Sequence, residues 1–121
     1  MKVAVGIAAA FIFLAGVASA SAQSLPGKYE VEGKNLDGST YSGTAEIVAT
    51  SETTCRITWK TGGTTSAGIC MRNDTSFAAG YVMGDAIGLV VYKMMDDGTL
   101  EGVWTIADKE GGGEETLTPI K

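Results

Sequence analysis

The sequence predicts an all-β protein, a small antiparallel up-and-down β-barrel of about eight strands. Three observations predict it. Beyond the N-terminal stretch, apolar and polar residues alternate at period two. Turn-forming residues interrupt that alternation roughly every 8–12 positions. No window carries the 3.6-residue period of an amphipathic helix.

The strands follow in order. The alternation places them at Lys28–Lys34, Thr40–Ala49, Thr54–Lys60, Thr65–Met71, Ser76–Met83, Ala86–Met94, Thr99–Ala107 and Glu114–Ile120. Between them lie Leu36-Asp37-Gly38, Thr50-Ser51-Glu52-Thr53, Gly62-Gly63, Arg72-Asn73-Asp74, Gly84-Asp85, Asp96-Asp97-Gly98 and Asp108–Gly113. Glycine, asparagine and aspartate tolerate the left-handed backbone that tight hairpins demand.

Each short turn also fixes a register. The Asp37-Gly38 loop sets Gly33 against Tyr41, Val31 against Gly43 and Tyr29 against Ala45. Gly62-Gly63 sets Trp59 against Ser66, Ile57 against Gly68 and Cys55 against Cys70. Gly84-Asp85 sets Tyr81 against Gly88, Ala79 against Val90 and Phe77 against Tyr92, and Asp96-Asp97-Gly98 sets Tyr92 against Gly102 and Val90 against Trp104. All four turns agree on one inner face. Large side chains there repeatedly meet glycine or alanine, as the taper of a small closed barrel requires.

The Gly-Gly turn brings Cys55 and Cys70 directly opposite. Cross-strand partners lie about 4.5–5.5 Å apart at Cα, within reach of a disulfide. A metal pair or a redox dithiol fits less well, because two thiols make a poor metal site and there is no C-x-x-C spacing. The stretch from Asp37 to Ile47 is loosely repeated from Asp97 to Ile106. Duplication of a four-stranded half and convergence of hairpins on one turn chemistry explain this equally well.

The N-terminal stretch has a different character. Met1-Lys2 is a short positive start, Val3–Val17 is an unbroken apolar run, and small residues follow through Ala22. This is the pattern of a secretory signal, and it predicts residues 1–22 as a signal peptide and 23–121 as one barrel domain. Overlapping A-x-A sites allow cleavage after Ala20 or Ala22. An uncleaved membrane anchor is the alternative, but the run ends in cleavage residues. Removing Lys2 from the 9 basic and 14 acidic residues leaves a net charge of −6 for the mature chain. The expected location is the periplasm or the exterior, where a disulfide persists.

Composition narrows the chemistry. The 121 residues include no histidine, so the commonest general base and metal ligand are missing. Two cysteines cannot complete a zinc site, and the acidic balance opposes a nucleic-acid partner. Asp96-Asp97-Gly98 lacks calcium-loop spacing, and Gly111-Gly112-Gly113 lacks the helix and lysine of a phosphate loop. The strand carboxylates Glu30, Glu32, Glu46, Glu101 and Glu115 are expected on the outer face. These features predict no enzyme, no cofactor and no metal.

Two features point toward binding. The inner aromatics Tyr29, Tyr41, Trp59, Tyr81, Tyr92 and Trp104 form a candidate ligand cup. The competing expectation is a packed core, which short strands and many aromatics favour. In the fifth and sixth strands the outward residues Ala78, Gly80, Val82, Ile87, Leu89 and Val91 are as apolar as the inward ones. Such a wall predicts a homo-oligomer or protein partner at Val82, Ile87, Leu89 and Val91, unless Asp108–Gly113 or Ser24-Leu25-Pro26 folds over it.

Taken together, the segments Asp37–Ile47, Thr58-Trp59 with Gly62-Gly63, Thr65–Ile69, Gly88–Tyr92 and Asp97–Trp104, with Glu115–Pro119 at the end, resemble a group of small exported proteobacterial proteins often labelled fibronectin-binding protein. The cysteine pair is an addition to that pattern. Gly27-Lys28-Tyr29 near the start of a short meander is also similar to calycin barrels such as avidins and lipocalins. The resemblance implies an exported, non-enzymatic binding barrel that contacts protein or matrix, or takes a small apolar ligand. The alternative is a solid-barrel envelope protein that homo-oligomerises.

Overall fold

The computed structural model describes residues 25–121. The signal peptide expected over residues 1–22 lies outside the described residues, as does Ser24. The chain forms eight antiparallel strands, β1 (Gly27–Lys34), β2 (Thr40–Ala49), β3 (Thr54–Thr61), β4 (Thr64–Asn73), β5 (Ser76–Met83), β6 (Ala86–Met94), β7 (Leu100–Ile106) and β8 (Gly113–Pro119). Each strand pairs with the next, and β8 pairs with β1 to close the barrel. Closure leaves no free strand edge.

The register is the one that the turns dictate. Tyr29 pairs with Ala45, Trp59 with Ser66, Phe77 with Tyr92, and Val90 with Trp104. Gly62 and Gly63 both adopt positive φ (56° and 80°), the backbone of a two-residue hairpin turn matched to strand twist. The two Asp-Gly loops share one geometry. In each, the aspartate Oδ1 accepts from the backbone N–H and the hydroxyl of the residue two on, Ser39 in the first and Thr99 in the second. These bonds hold the exposed Asp37 and Asp97 carboxyls below their usual pKa.

Cys55 and Cys70 are joined in a disulfide across the β3–β4 hairpin, with a Cα separation of 5.0 Å. Such a bridge belongs to an oxidising, non-cytoplasmic compartment.

The inner residues divide the barrel into two halves along its axis. At the end bearing the β2–β3, β4–β5 and β6–β7 turns, the interior is solid. Val31, Ile47, Ile57, Phe77, Tyr92, Leu100 and Leu117 are fully buried there. The Phe77 and Tyr92 rings stack with centroids 5.3 Å apart. Leu25 closes this end, and the Tyr29 hydroxyl donates to its carbonyl at 2.5 Å. Leu25 therefore plugs the barrel instead of shielding its outer wall. At the opposite end the interior is open.

The outer wall is divided around its circumference. β8, β1, β2 and β3 present charged and hydroxyl side chains, among them Glu114, Lys28, Glu30, Glu32, Glu46 and Arg56. The opposite wall is apolar and wider than the sequence indicates. Val82, Ile87, Leu89 and Val91 are 53–62 % exposed, and Ile69 and Met71 on β4 and Val103 on β7 extend the same surface. They are contiguous in the sheet, since Ile69 pairs with Gly80, Gly80 with Leu89, and Val91 with Val103.

Candidate functional site

The open half encloses a cavity of about 260 Å³. It lies at the end bearing the Asn35–Ser39 loop and the Gly62-Gly63 and Gly84-Asp85 turns. Four aromatic residues wall it, Tyr41, Trp59, Tyr81 and Trp104. Glycines position three of these rings. Tyr41 lies over Gly33, Tyr81 over Gly88 and Trp104 over Gly113, each so close that a β-carbon on the glycine would overlap the ring. A ring laid over glycine hugs the wall instead of crossing the interior. The rings also support one another in pairs. Tyr41 and Trp104 meet edge-on at 6.3 Å, and Trp59 and Tyr81 are tilted at 5.2 Å.

Of the six aromatic candidates from the sequence, these four line the cavity. Tyr92 lies beneath it in the packed half, and Tyr29 belongs to the plugged end. The interior is thus both a packed core and a cup, one at each end of the barrel.

Glu115 corrects the sequence expectation. Expected outside, it points inward, is 7 % exposed and lines the cavity. The reason is barrel closure. Leu117 is inward, pairing with Val31 on one side and Leu100 on the other, and period two then places Glu115 inside between Gly33 and Gly102. Those glycines leave room on both flanks. Tyr41, opposite Gly33, and Tyr92, opposite Gly102, lean over them toward the carboxylate.

Three neutral donors hold the carboxylate. The Tyr41 hydroxyl donates to Oε1 at 2.6 Å, the Trp59 indole N–H donates to Oε2 at 2.9 Å, and the Tyr92 hydroxyl also donates to Oε2. Indole nitrogen can only donate, so Oε2 is fixed as an acceptor. Burial first, and then the Glu115 charge, push the Tyr41 and Tyr92 hydroxyls far above their ordinary pKa. The same two causes push Tyr81 up to about 12. All three hydroxyls therefore remain protonated donors at neutral pH. Tyr81 uses its proton on the Thr105 carbonyl at 3.1 Å.

One polar atom at the cup is unused. The Trp104 Nε1 is buried with no hydrogen-bond partner, alone in this among side-chain polar atoms of the described residues. A buried N–H left unpaired costs about 1–3 kcal/mol, and the indole lies close enough to the Tyr41 hydroxyl to act on it.

Known proteins locate the architecture without adding a family. No protein-family profile matches this chain, and no curated protein matches it in sequence. Solved structures do match in shape. A redesigned β-barrel superposes with a TM-score of 0.69 at 18 % identity, covering 80 % of this chain and 92 % of its own. Another redesigned barrel, mFAP1 bound to DFHBI, gives 0.67 at 21 % identity over 78 % of this chain and 94 % of its own. A de novo fluorescence-activating barrel gives 0.64 at 17 % identity, covering 78 % and 93 %. The chain shares their small eight-stranded barrel fold, and the fibronectin-binding label finds no counterpart among these matches.

Proposed function

We propose that this protein is a non-enzymatic binding barrel of the periplasm or exterior, whose open end takes a small molecule of one or two rings. The carrying observation is the cup itself. It is an aromatic-walled cavity of about 260 Å³ with an unpaired donor and a buried carboxylate. That volume sits between a cavity that accepts benzene, about 150 Å³, and the lower range of drug-sized pockets, about 300 Å³. Apolar walls with a few fixed polar groups are the usual composition of such sites. The likeness to barrels solved with DFHBI supports the reading by analogy of fold. The test is a two-dimensional amide NMR screen of one- and two-ring fragments. Hits should shift Tyr41, Tyr81, Trp104 and their neighbours and leave the outer-wall residues still. A library with no hit in the cup refutes the reading.

A second reading rests on the outer wall. We propose that a second copy of the chain packs on the face built by β4–β7. A closed barrel offers no edge for strand addition, so association must be face to face. With its acidic excess the charged wall repels its own kind, whereas the apolar wall carries only one carboxylate on its strands, Glu101, and that residue pairs across the sheet with Lys93. Seven large apolar side chains, Ile69, Met71, Val82, Ile87, Leu89, Val91 and Val103, are each more than half exposed on it, and a contiguous patch of that kind marks an interaction surface. Light scattering should give a dimer for the wild type and a monomer for Leu89→Asp. A monomeric wild type at high concentration refutes it.

A further inference from the structure

We infer that the cup selects organic cations, specifically small amines or quaternary ammonium compounds carrying one ring. This rests on the reading of the cup as a ligand site and names the class of ligand. The inference begins from a charge that the chain does not balance. Glu115 is the only buried acidic residue among the described residues. Its partners, Tyr41, Tyr92 and Trp59, are all neutral. No lysine or arginine lines the cavity. Neutral donors satisfy the lone pairs of a buried carboxylate but leave its charge uncompensated in a low-dielectric site. A cationic ligand supplies the missing counter-ion.

The walls point the same way. Tyr41, Trp59, Tyr81 and Trp104 surround the space beside that carboxylate. Aromatic faces carry negative quadrupole potential, and several of them around one space form the cage that recognises ammonium groups. Oε1 of Glu115 accepts only from Tyr41, whereas Oε2 accepts from two donors. An ammonium N–H can thus bond Oε1 directly, and a quaternary ammonium can rest against the rings. The buried Trp104 Nε1 can in addition donate to an ether, carbonyl or hydroxyl oxygen on the same ligand. Anions are disfavoured twice, by Glu115 and by the acidic chain as a whole.

The chain supplies its own probe, because its two tryptophans, Trp59 and Trp104, both line the cup. Three compounds of like size separate the possibilities by tryptophan-fluorescence titration: 2-phenylethylammonium, 2-phenylethanol and phenylacetate. The cation should bind about tenfold or more tighter than the alcohol, and the anion weakest of all. In Glu115→Gln the cation's advantage should fall to near parity while the alcohol binds as before. If the alcohol or the anion binds the wild type as tightly as the cation, the inference is overturned and the cup reading stands. If Glu115→Gln keeps the full preference, the inference is likewise overturned. If none of the three binds and the fragment screen also finds nothing, both readings fall together. The order of affinities on the wild type decides the matter even where the variant does not fold.

Discussion

Replacing Glu115 by leucine tests the account of the barrel interior most directly. The side chains are close in size, so the change removes the acceptor with little change in volume. Three donors then lose the carboxylate. Tyr41 opens on the cup, where water can replace the carboxylate. Trp59 lines the cup and keeps the Tyr92 hydroxyl as an acceptor at 3.2 Å, whereas the Tyr92 proton, on a residue 1 % exposed, has no such recourse. Each buried orphan donor costs about 1–3 kcal/mol. Relief from burying a charge offsets part of that loss. We expect Glu115→Leu to lower the unfolding free energy by about 1–3 kcal/mol, read from urea denaturation with an unchanged slope. Adding Tyr92→Phe removes the Tyr92 orphan but also takes the hydroxyl that accepts from Trp59, so the double variant should recover little or nothing. Two results would refute the reasoning. One is a Glu115→Leu variant more stable than the wild type. The other is a double variant more stable than the single by about 1 kcal/mol or more.

The remaining predictions concern the scaffold. Replacing both Cys55 and Cys70 by alanine opens a loop with a sequence separation of 15 and should cost about 3 kcal/mol, measured against the oxidised wild type. Gly68→Ala should cost about 3 kcal/mol or abolish folding, because the new β-carbon would fall on the Gly80 carbonyl oxygen of the neighbouring strand. A circular dichroism melt indistinguishable from wild type would contradict that. All four tyrosines, Tyr29, Tyr41, Tyr81 and Tyr92, have raised pKa values, by burial first. The folded chain therefore keeps protons that the unfolded chain releases above about pH 10. Stability is full below that pH and falls as pH rises beyond it. Tyrosinate absorbance should appear together with unfolding, and a folded barrel that titrates near pH 10 would count against the buried network.

What could be read from the sequence, and what could not, separates along the line between local and closing contacts. The pairings Trp59–Ser66, Cys55–Cys70 and Phe77–Tyr92 were legible because two-residue turns of glycine and aspartate fix register within a few residues. Glu115 was not, because β8 follows the longer connection from Ala107 to Gly112, which transmits no register. Its facing is set by β1 and β7 together, once the barrel closes. The adjacent Glu114 and Glu115 also mask the alternation, since one is outside and the other inside. A signal was present in Leu117: an apolar residue two positions on, placed opposite Val31, carries Glu115 to the inner face.

The choice between cup and core was undecidable from composition for a related reason. The same residue types serve both ends of the barrel. Phe77 and Tyr92 stack on each other and fill the closed half, whereas Tyr41, Tyr81 and Trp104 lie back over glycines and leave the open half vacant. The difference is made by partners, not by the aromatics. Where Leu100, Leu117 and Ile47 stand beside a ring, the interior is filled. Where the neighbours are Gly33, Gly88, Gly113 and Ser66, space remains and the polar tips converge on it. Small residues at the open rim therefore create the cup, and the one carboxylate that closure turns inward gives it a charge.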